Sequence, residues 1–363
     1  MKIVSIVGAR PQFIKAATVS RAIAHHNERS DDAIQEIIVH TGQHFDENMS
    51  RVFFDQLAIP RPHYHLGIAG LSHGAMTGRM LEAIERVLID EKPSWVVVFG
   101  DTNSTLSGAL AAVKLHLRVA HVEAGLRSFN LNMPEEINRI VTDRVSQLLL
   151  CPTELAVRNL ANEGMRDHVR NVGDVMYDAA VLYREIARER YALSTWDLQE
   201  GHYVLCTVHR AENTDSPSRF GQIWDALCEI GRSMPVVVPV HPRTSKLFPA
   251  EMISARAKGI VVIDPVSYLE MTRLEMSARA IFTDSGGVQK EAFFHEIPCL
   301  TLRDETEWVE TIELGWNVLC GADTRRILEN WEALESCPRV ANSRPYGDGN
   351  AAQHVVWKIL EYK

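Results

Sequence analysis

Charged residues able to move protons or hold anions stand directly behind apolar runs in this chain. The run KIVSIVGA is followed by Arg10 and Lys15. Five positions separate them, about one and a half turns of a helix, so both side chains can reach one mouth. Two cations beside the free N–H groups of a helix start make an anion site; the plainer alternative is surface cations that solvate a turn. A single glycine, Gly8, precedes them where a dinucleotide-binding protein carries G-x-G-x-x-G, which argues against tightly held NAD. Further along, GDTNS carries Asp101, HVEAGLRS carries Glu123, and MPEEINR carries Glu135, Glu136 and Arg139. A glutamate closing an apolar strand is costly unless it is paired or used. These four carboxylates and the nearby cations make a set suited to proton transfer. Plainer roles stay open here too. Asp and Ser ahead of a helix are common N-caps, and acids just after Pro134 complement a helix dipole.

A second group follows. VHRAEN supplies His209, Arg210 and Glu212, HPR supplies His241 and Arg243, and TDSGGVQKEA supplies Ser285, Gly286, Gly287 and Glu291. Ser-Gly-Gly before a helix lets backbone N–H groups meet a phosphate, although the same residues also make an ordinary tight turn. Glu291 lies one turn up that helix, placed to accept both hydroxyls of a ribose. TGQH, Thr41 to His44, closes another strand. The pattern implies a diphosphate at the second group and a sugar against the carboxylates of the first. The cations can neutralise phosphates without magnesium, acidic pairs with divalent-metal spacing are not evident, and no metal or cofactor is expected.

The elements that must position these residues alternate. EIIVHTG, WVVVFGD, RVAHVEAG and SQLLLCPT read, like KIVSIVGA, as strands buried on both faces of a parallel sheet. Amphipathic stretches such as LSHGAMTGRMLEAIERVLIDE and NSTLSGALAAVKLH lie between them. The series restarts with HYVLCTVHR, PVVVPVHP, GIVVIDP, AIFTDSGG and PCLTLRD. The fold class is α/β: two Rossmann-like, doubly wound domains facing each other across a cleft, with ligands outside the carboxyl ends of the strands. The expected domains are 1–172 plus 347–363, the last segment being a helix that returns to the first domain, and 173–346. A length of 363 residues fits two domains at ~100–200 residues each. The net charge of −9 argues against a nucleic-acid partner. No apolar run is long enough to span a membrane, and no signal-peptide pattern opens the chain, so a cytoplasmic protein is expected. The six scattered cysteines read as reduced, buried thiols.

Taken in order, GARPQFIK, TGQH, GDTNS, HVEAGLR, PEEINR, DSGGVQKE and RDETEWVE resemble the non-hydrolysing UDP-N-acetylglucosamine 2-epimerase family, and the likeness runs through nearly the whole chain. The resemblance implies the two-domain architecture of GT-B glycosyltransferases, a homodimer, and a UDP-sugar substrate. It implies elimination of UDP to a 2-acetamidoglycal and re-addition with a proton on the opposite face of C2. By position in the family motifs, Asp101, Glu123 and Glu135 are the catalytic carboxylates, assisted by Lys15 and His209. Arg10, His44, Arg139, Arg210, Ser285, Gly286, Gly287 and Glu291 are the expected substrate- and UDP-binding residues.

Departures from the family pattern bear on the substrate. Where members acting on UDP-GlcNAc commonly read Thr-Glu-Arg-Pro-Glu, this chain has Thr306, Glu307, Trp308, Val309 and Glu310. Asp46 and GIAGLSHG replace the glutamine and arginine of members with a regulatory UDP-GlcNAc site. TEWVE and HFDENMSRVFF look more like the subgroup acting on UDP-2,3-diacetamido-2,3-dideoxy-glucuronate, a precursor of bacterial surface polysaccharide such as lipopolysaccharide O-antigen. A UDP-GlcNAc to UDP-ManNAc epimerase is the alternative. More distant rivals are a GT-B glycosyltransferase, which would need an acceptor site, a hydrolysing epimerase, and a non-catalytic nucleotide-sugar binder.

Overall fold

The apolar runs become strands. A computed structural model describes residues 1–43, 57, 60–240, 259–334, 336–340 and 343–362, leaving aside the side chain of Arg10. Contacts within the chain group it into two α/β units: residues 1–179 with 344–363, and residues 180–343.

Unit 1 contains β1 (Lys2–Val7), β2 (Gln35–His40), β3 (Tyr64–His65), β4 (Trp95–Phe99), β5 (Arg118–Val122), β6 (Leu148–Cys151) and β7 (Val169–Asn171). They form one sheet in the order β3-β2-β1-β4-β5-β6-β7, parallel throughout. The helices between are α1 (Arg10–Asn27), α2 (His73–Glu91), α3 (Asn103–Lys114), α4 (Pro134–Val145), α5 (Glu154–Asn162) and α6 (Val175–Arg190). Val4, Ile6, Val39, Val96 and Val98 bury one face of the sheet against Met80, Ile84 and Leu88 of α2 and Ala109 and Ala112 of α3. The sheet order reverses direction between β1 and β4. At such a switch point the loops at the carboxyl ends diverge and leave a crevice for a ligand.

Unit 2 repeats the plan with β8 (Val204–Thr207), β9 (Val236–Pro239), β10 (Ile260–Ile263), β11 (Ala280–Thr283), β12 (Cys299–Thr301) and β13 (Asn317–Leu319). Their order is β10-β9-β8-β11-β12-β13, again parallel, with the reversal between β8 and β11. Its helices include α7 (Ala211–Thr214), α8 (Pro217–Gly231), α9 (Tyr268–Glu275), α10 (Gly286–Phe294), α11 (Val309–Glu313) and α12 (Thr324–Glu332). Val204, Cys206, Phe282 and Leu300 pack there against Phe220, Ile223 and Leu227 of α8.

The expected second domain ran from 173 to 346, whereas unit 2 runs from 180 to 343. The first turn of α6 belongs with unit 1 because Asp178 accepts the N–H groups of Ala351 (3.0 Å) and Ala352 (2.7 Å) at the start of α13 (Ala351–Glu361). The cysteines are free, with Cys151, Cys206, Cys299 and Cys320 buried. No helix among the described residues is long and apolar enough to cross a membrane.

Candidate active site

In unit 1 the turn after β1 is tied to the end of β4 by a residue the sequence reading passed over. Gln12, in the first turn of α1, accepts the N–H groups of Gly8 (2.8 Å) and Ala9 (3.0 Å) through Oε1. Its Nε2 donates to the Phe99 carbonyl (2.7 Å) and to Thr105 Oγ1 (2.9 Å). Gly8 has no room for a side chain, because an added Cβ would collide with the hydroxyls of Ser104 and Thr41.

Lys15, one turn further along α1, is buried and pairs with the carboxylate of Glu123, also buried, which follows β5. Glu123 adopts a left-handed backbone, φ 73°, an uncommon conformation for a side chain of this size. Gly100, after β4, lies beneath the pair: a Cβ there would stand 3.2 Å from both Lys15 Nζ and Glu123 Oε2. Asp101 comes next. Its carboxylate pairs with Arg139, and its carbonyl accepts from Asn138 Nδ2 at 2.9 Å. The structure therefore gathers Lys15, Glu123, Asp101 and Arg139 beyond the carboxyl ends of β1, β5 and β4.

The two glutamates of PEEINR separate. Glu135 is exposed. Glu136 is fully buried and accepts from the Ser128 N–H (2.9 Å), the Ser128 hydroxyl (3.0 Å), the Phe129 N–H (3.0 Å) and Arg139 Nη1 (2.9 Å). Burial alone would raise its pKa, but these donors outweigh it and hold the carboxyl below the ordinary range. Glu136 thus shapes the 128–133 loop and steadies Arg139. Beneath them lies a wholly buried pair, His121 and Asp143, which the sequence reading also missed.

In unit 2, Asp284 organises the β8 loop from below. It is fully buried and accepts the N–H groups of His209 (3.1 Å) and Arg210 (3.0 Å) and Nδ2 of Asn213 (3.1 Å). The His209 ring stays partly exposed, with Nδ1 3.4 Å from Asp284 Oδ1. Thr283 Oγ1 accepts the Ser285 N–H at 2.9 Å, which sets the turn into α10. The two glycines then differ. A Cβ on Gly286 would collide with the Glu307 carboxylate, whereas one on Gly287 would meet only Ser285 Oγ at 3.8 Å. Gly286 serves close packing, and Gly287 presents the open N-terminus of α10, whose first N–H groups have no intrahelical acceptor. Glu291 is mostly buried one turn on. Burial, then the neighbouring Glu291, pushes the Glu275 carboxyl well above its usual range. Trp308 is buried rather than presented to solvent, and Lys290 Nζ sits 4.1 Å from its ring centre. His44, residues 241–243 and the HFDENMSRVFF stretch lie outside the described residues, as does the Arg10 side chain.

Against known proteins, the family model for UDP-N-acetylglucosamine 2-epimerase matches residues 26–360. The chain is 52% identical over 359 residues to UDP-2,3-diacetamido-2,3-dideoxy-D-glucuronate 2-epimerase of Pseudomonas aeruginosa, covering 98% of each chain. It is 49% identical to a UDP-N-acetylglucosamine 2-epimerase homolog of Methanococcus maripaludis, again over 98% of each. Among solved structures, the Methanocaldococcus jannaschii UDP-GlcNAc 2-epimerase in complex with UDP-GlcNAc and UDP superposes with a TM-score of 0.88 at 42% identity, covering 100% of both chains.

Proposed function

The chain belongs to the UDP-N-acetylglucosamine 2-epimerase family, and from that premise we propose that it inverts C2 of a 2-acetamido UDP-sugar. The observation that carries this reading is the packing of Lys15 and Glu123 over the Gly100–Asp101 turn, where acid–base groups converge. The substrate proposed is UDP-2,3-diacetamido-2,3-dideoxy-D-glucuronate, converted to its mannuronate epimer, because the Pseudomonas relative of that name is 52% identical over 98% of each chain.

In this reading the anomeric C–O bond breaks and its electron pair leaves with UDP. A carboxylate takes the C2 proton, and the C–H pair becomes the C1=C2 bond of a 2-acetamidoglycal. A proton delivered to the opposite face of C2 and return of the UDP oxygen to C1 complete the inversion. The C2 proton is not acidic, so C–O cleavage runs ahead and builds oxocarbenium character, which carboxylates stabilise. Asp101, Glu123 and Glu135 are assigned the proton transfers. Lys15 partners Glu123, and Arg139 orients Asp101. In unit 2, His209, Arg210 and the N–H groups at Gly286 and Gly287 take the departing diphosphate, and Glu291 takes the ribose. The reading extends to a cytoplasmic homodimer feeding surface-polysaccharide synthesis; light scattering of the purified protein checks the dimer.

The test is NMR of the protein with each candidate UDP-sugar in deuterated water, no cofactor added. A new epimer carrying deuterium at C2 is expected, fastest with the diacetamido-glucuronate. Faster turnover of UDP-GlcNAc would favour the second reading, which the Methanocaldococcus relative supports at 42% identity. An unchanged sugar, with UDP released only when an acceptor is added, would point to a glycosyltransferase.

A further inference from the structure

His121 is wholly buried in β5, and both of its ring nitrogens face acceptors. Nε2 lies 2.7 Å from the Gly100 carbonyl oxygen, and Nδ1 lies 2.7 Å from Asp143 Oδ1. A carbonyl oxygen only accepts, so Nε2 carries a proton. On the other side, a ring without a proton on Nδ1 would set its lone pair against a carboxylate lone pair. A proton on Asp143 would relieve that, but its second oxygen already accepts from Arg127 Nη1 (2.7 Å) and the Gly125 N–H (3.2 Å). Two donors on that oxygen, one of them a guanidinium, favour the anion. Arg127 in turn grips Glu163 with two bonds, at 2.6 and 2.9 Å. With a charged ring the four groups balance as two cations and two anions. Nearby, the Cys151 thiol at the end of β6 is pushed up by burial and then by Asp143, and on the far side of Gly100 the buried Lys15–Glu123 pair adds one cation and one anion.

We propose that His121 donates from both ring nitrogens, as an imidazolium, and so positions the Gly100–Asp101 peptide for proton transfer, a role that rests on the epimerase reading above. The Gly100 N–H donates to the Val122 carbonyl at 3.0 Å while its carbonyl accepts from His121, so the residue is gripped from both sides. Its backbone is left-handed, φ 62°, and it forms the floor under Lys15 and Glu123. Releasing the carbonyl frees that floor to shift and Asp101 to leave its setting beside Arg139. His121 touches no reacting atom in this account; it acts through Gly100.

Two measurements on the full-length protein decide it. Long-range proton–nitrogen spectra of protein labelled with 15N-histidine, taken at about pH 8, where exposed imidazoles are neutral, are expected to show one ring with both nitrogens protonated. Its assignment to His121 comes from the loss of that signal in His121→Gln. The second is a pair of variants. Gln can still reach the Gly100 carbonyl but releases Asp143; Asn can still reach Asp143 but is too short for Gly100. Misplacing a reacting group by an ångström costs on the order of 100-fold, so His121→Asn is expected to lose about that much kcat and His121→Gln about tenfold or less. UDP affinity should stay within about twofold in both, since UDP binding is assigned to unit 2. A spectrum in which no histidine ring keeps both nitrogens protonated overturns the proposal, even if neither variant folds. Equal kcat losses in two folded variants overturn the positioning role. A wild-type protein that epimerises no UDP-sugar would sink the function reading and the positioning role with it, while the spectrum still decides the proton count.

Discussion

Glu135 and Glu136 share one helix turn but not one environment, and their difference is measurable. Glu135 is exposed; Glu136 is buried under four donors. Glu135→Gln should lower kcat by about 10²–10⁴-fold, the usual worth of a general acid or base, and leave the melting temperature alone. Asp101→Asn and Glu123→Gln should lower kcat similarly, with little change in UDP affinity. Glu136→Gln should instead lose roughly 1–3 kcal/mol in urea unfolding, because buried donors lose their acceptor. Wild-type turnover in the first three variants would remove these carboxylates from the mechanism. The glycines part in the same way. Gly8→Ala forces a Cβ into the Ser104 and Thr41 hydroxyls and should cost roughly 1–3 kcal/mol of stability. Gly287→Ala has space, so the fold should tolerate it while UDP affinity, read by calorimetry, falls about tenfold or ~1.4 kcal/mol. The sequence pointed to most of these residues because a charge behind an apolar run is conspicuous. It was silent on Gln12, His121, Asp143 and Asp284, whose roles depend on hydrogen bonds to backbone many residues away.

Among the elements, the ten apolar runs form strands, and those not anticipated are β3, β7 and β13, all at sheet edges and two or three residues long. An edge strand buries less, so Tyr64–His65 and Val169–Asn171 carry no apolar run to notice. The junction of α6 with α13 makes a pH prediction. Burial pushes the Asp178 carboxyl up to about 6, against the pull of the Ala352 and Ala351 N–H groups. The folded state therefore holds this proton more tightly than the unfolded chain, whose aspartates titrate near ~3.9. The associated stability is fully present below about pH 4 and is lost as pH climbs through about 6. Wild type should lose roughly 1–3 kcal/mol relative to Asp178→Asn across that window. Urea melts of both proteins at pH 5 and 7.5 check it; a difference independent of pH would refute the assignment.

For the whole molecule, the alternation of strands and helices was readable, and the order of strands within each sheet was not. That order matters, because the reversal between β1 and β4 gathers Lys15, Gly100 and Asp101, and the reversal between β8 and β11 gathers His209, Asp284 and the start of α10. Hydrophobic pattern reports burial, not which buried strand lies beside which. The ordered motifs and their family resemblance supplied what periodicity lacked.

The left-handed residues lead one step further. Lys92, His116, His168 and Glu296 have φ between 47° and 60°, and each ends the stretch before a strand, on the edge opposite the chemistry. Glycine adopts that conformation without the ~1–2 kcal/mol steric cost, at some loss of unfolded-chain restraint. Each change to glycine should add roughly 0.5–1 kcal/mol, and distant sites should add up, with kcat untouched; calorimetric melting of the fourfold variant measures it. Evolution and the engineer then have separate levers here: durability can be altered along one rim of the sheets while substrate choice is altered along the other.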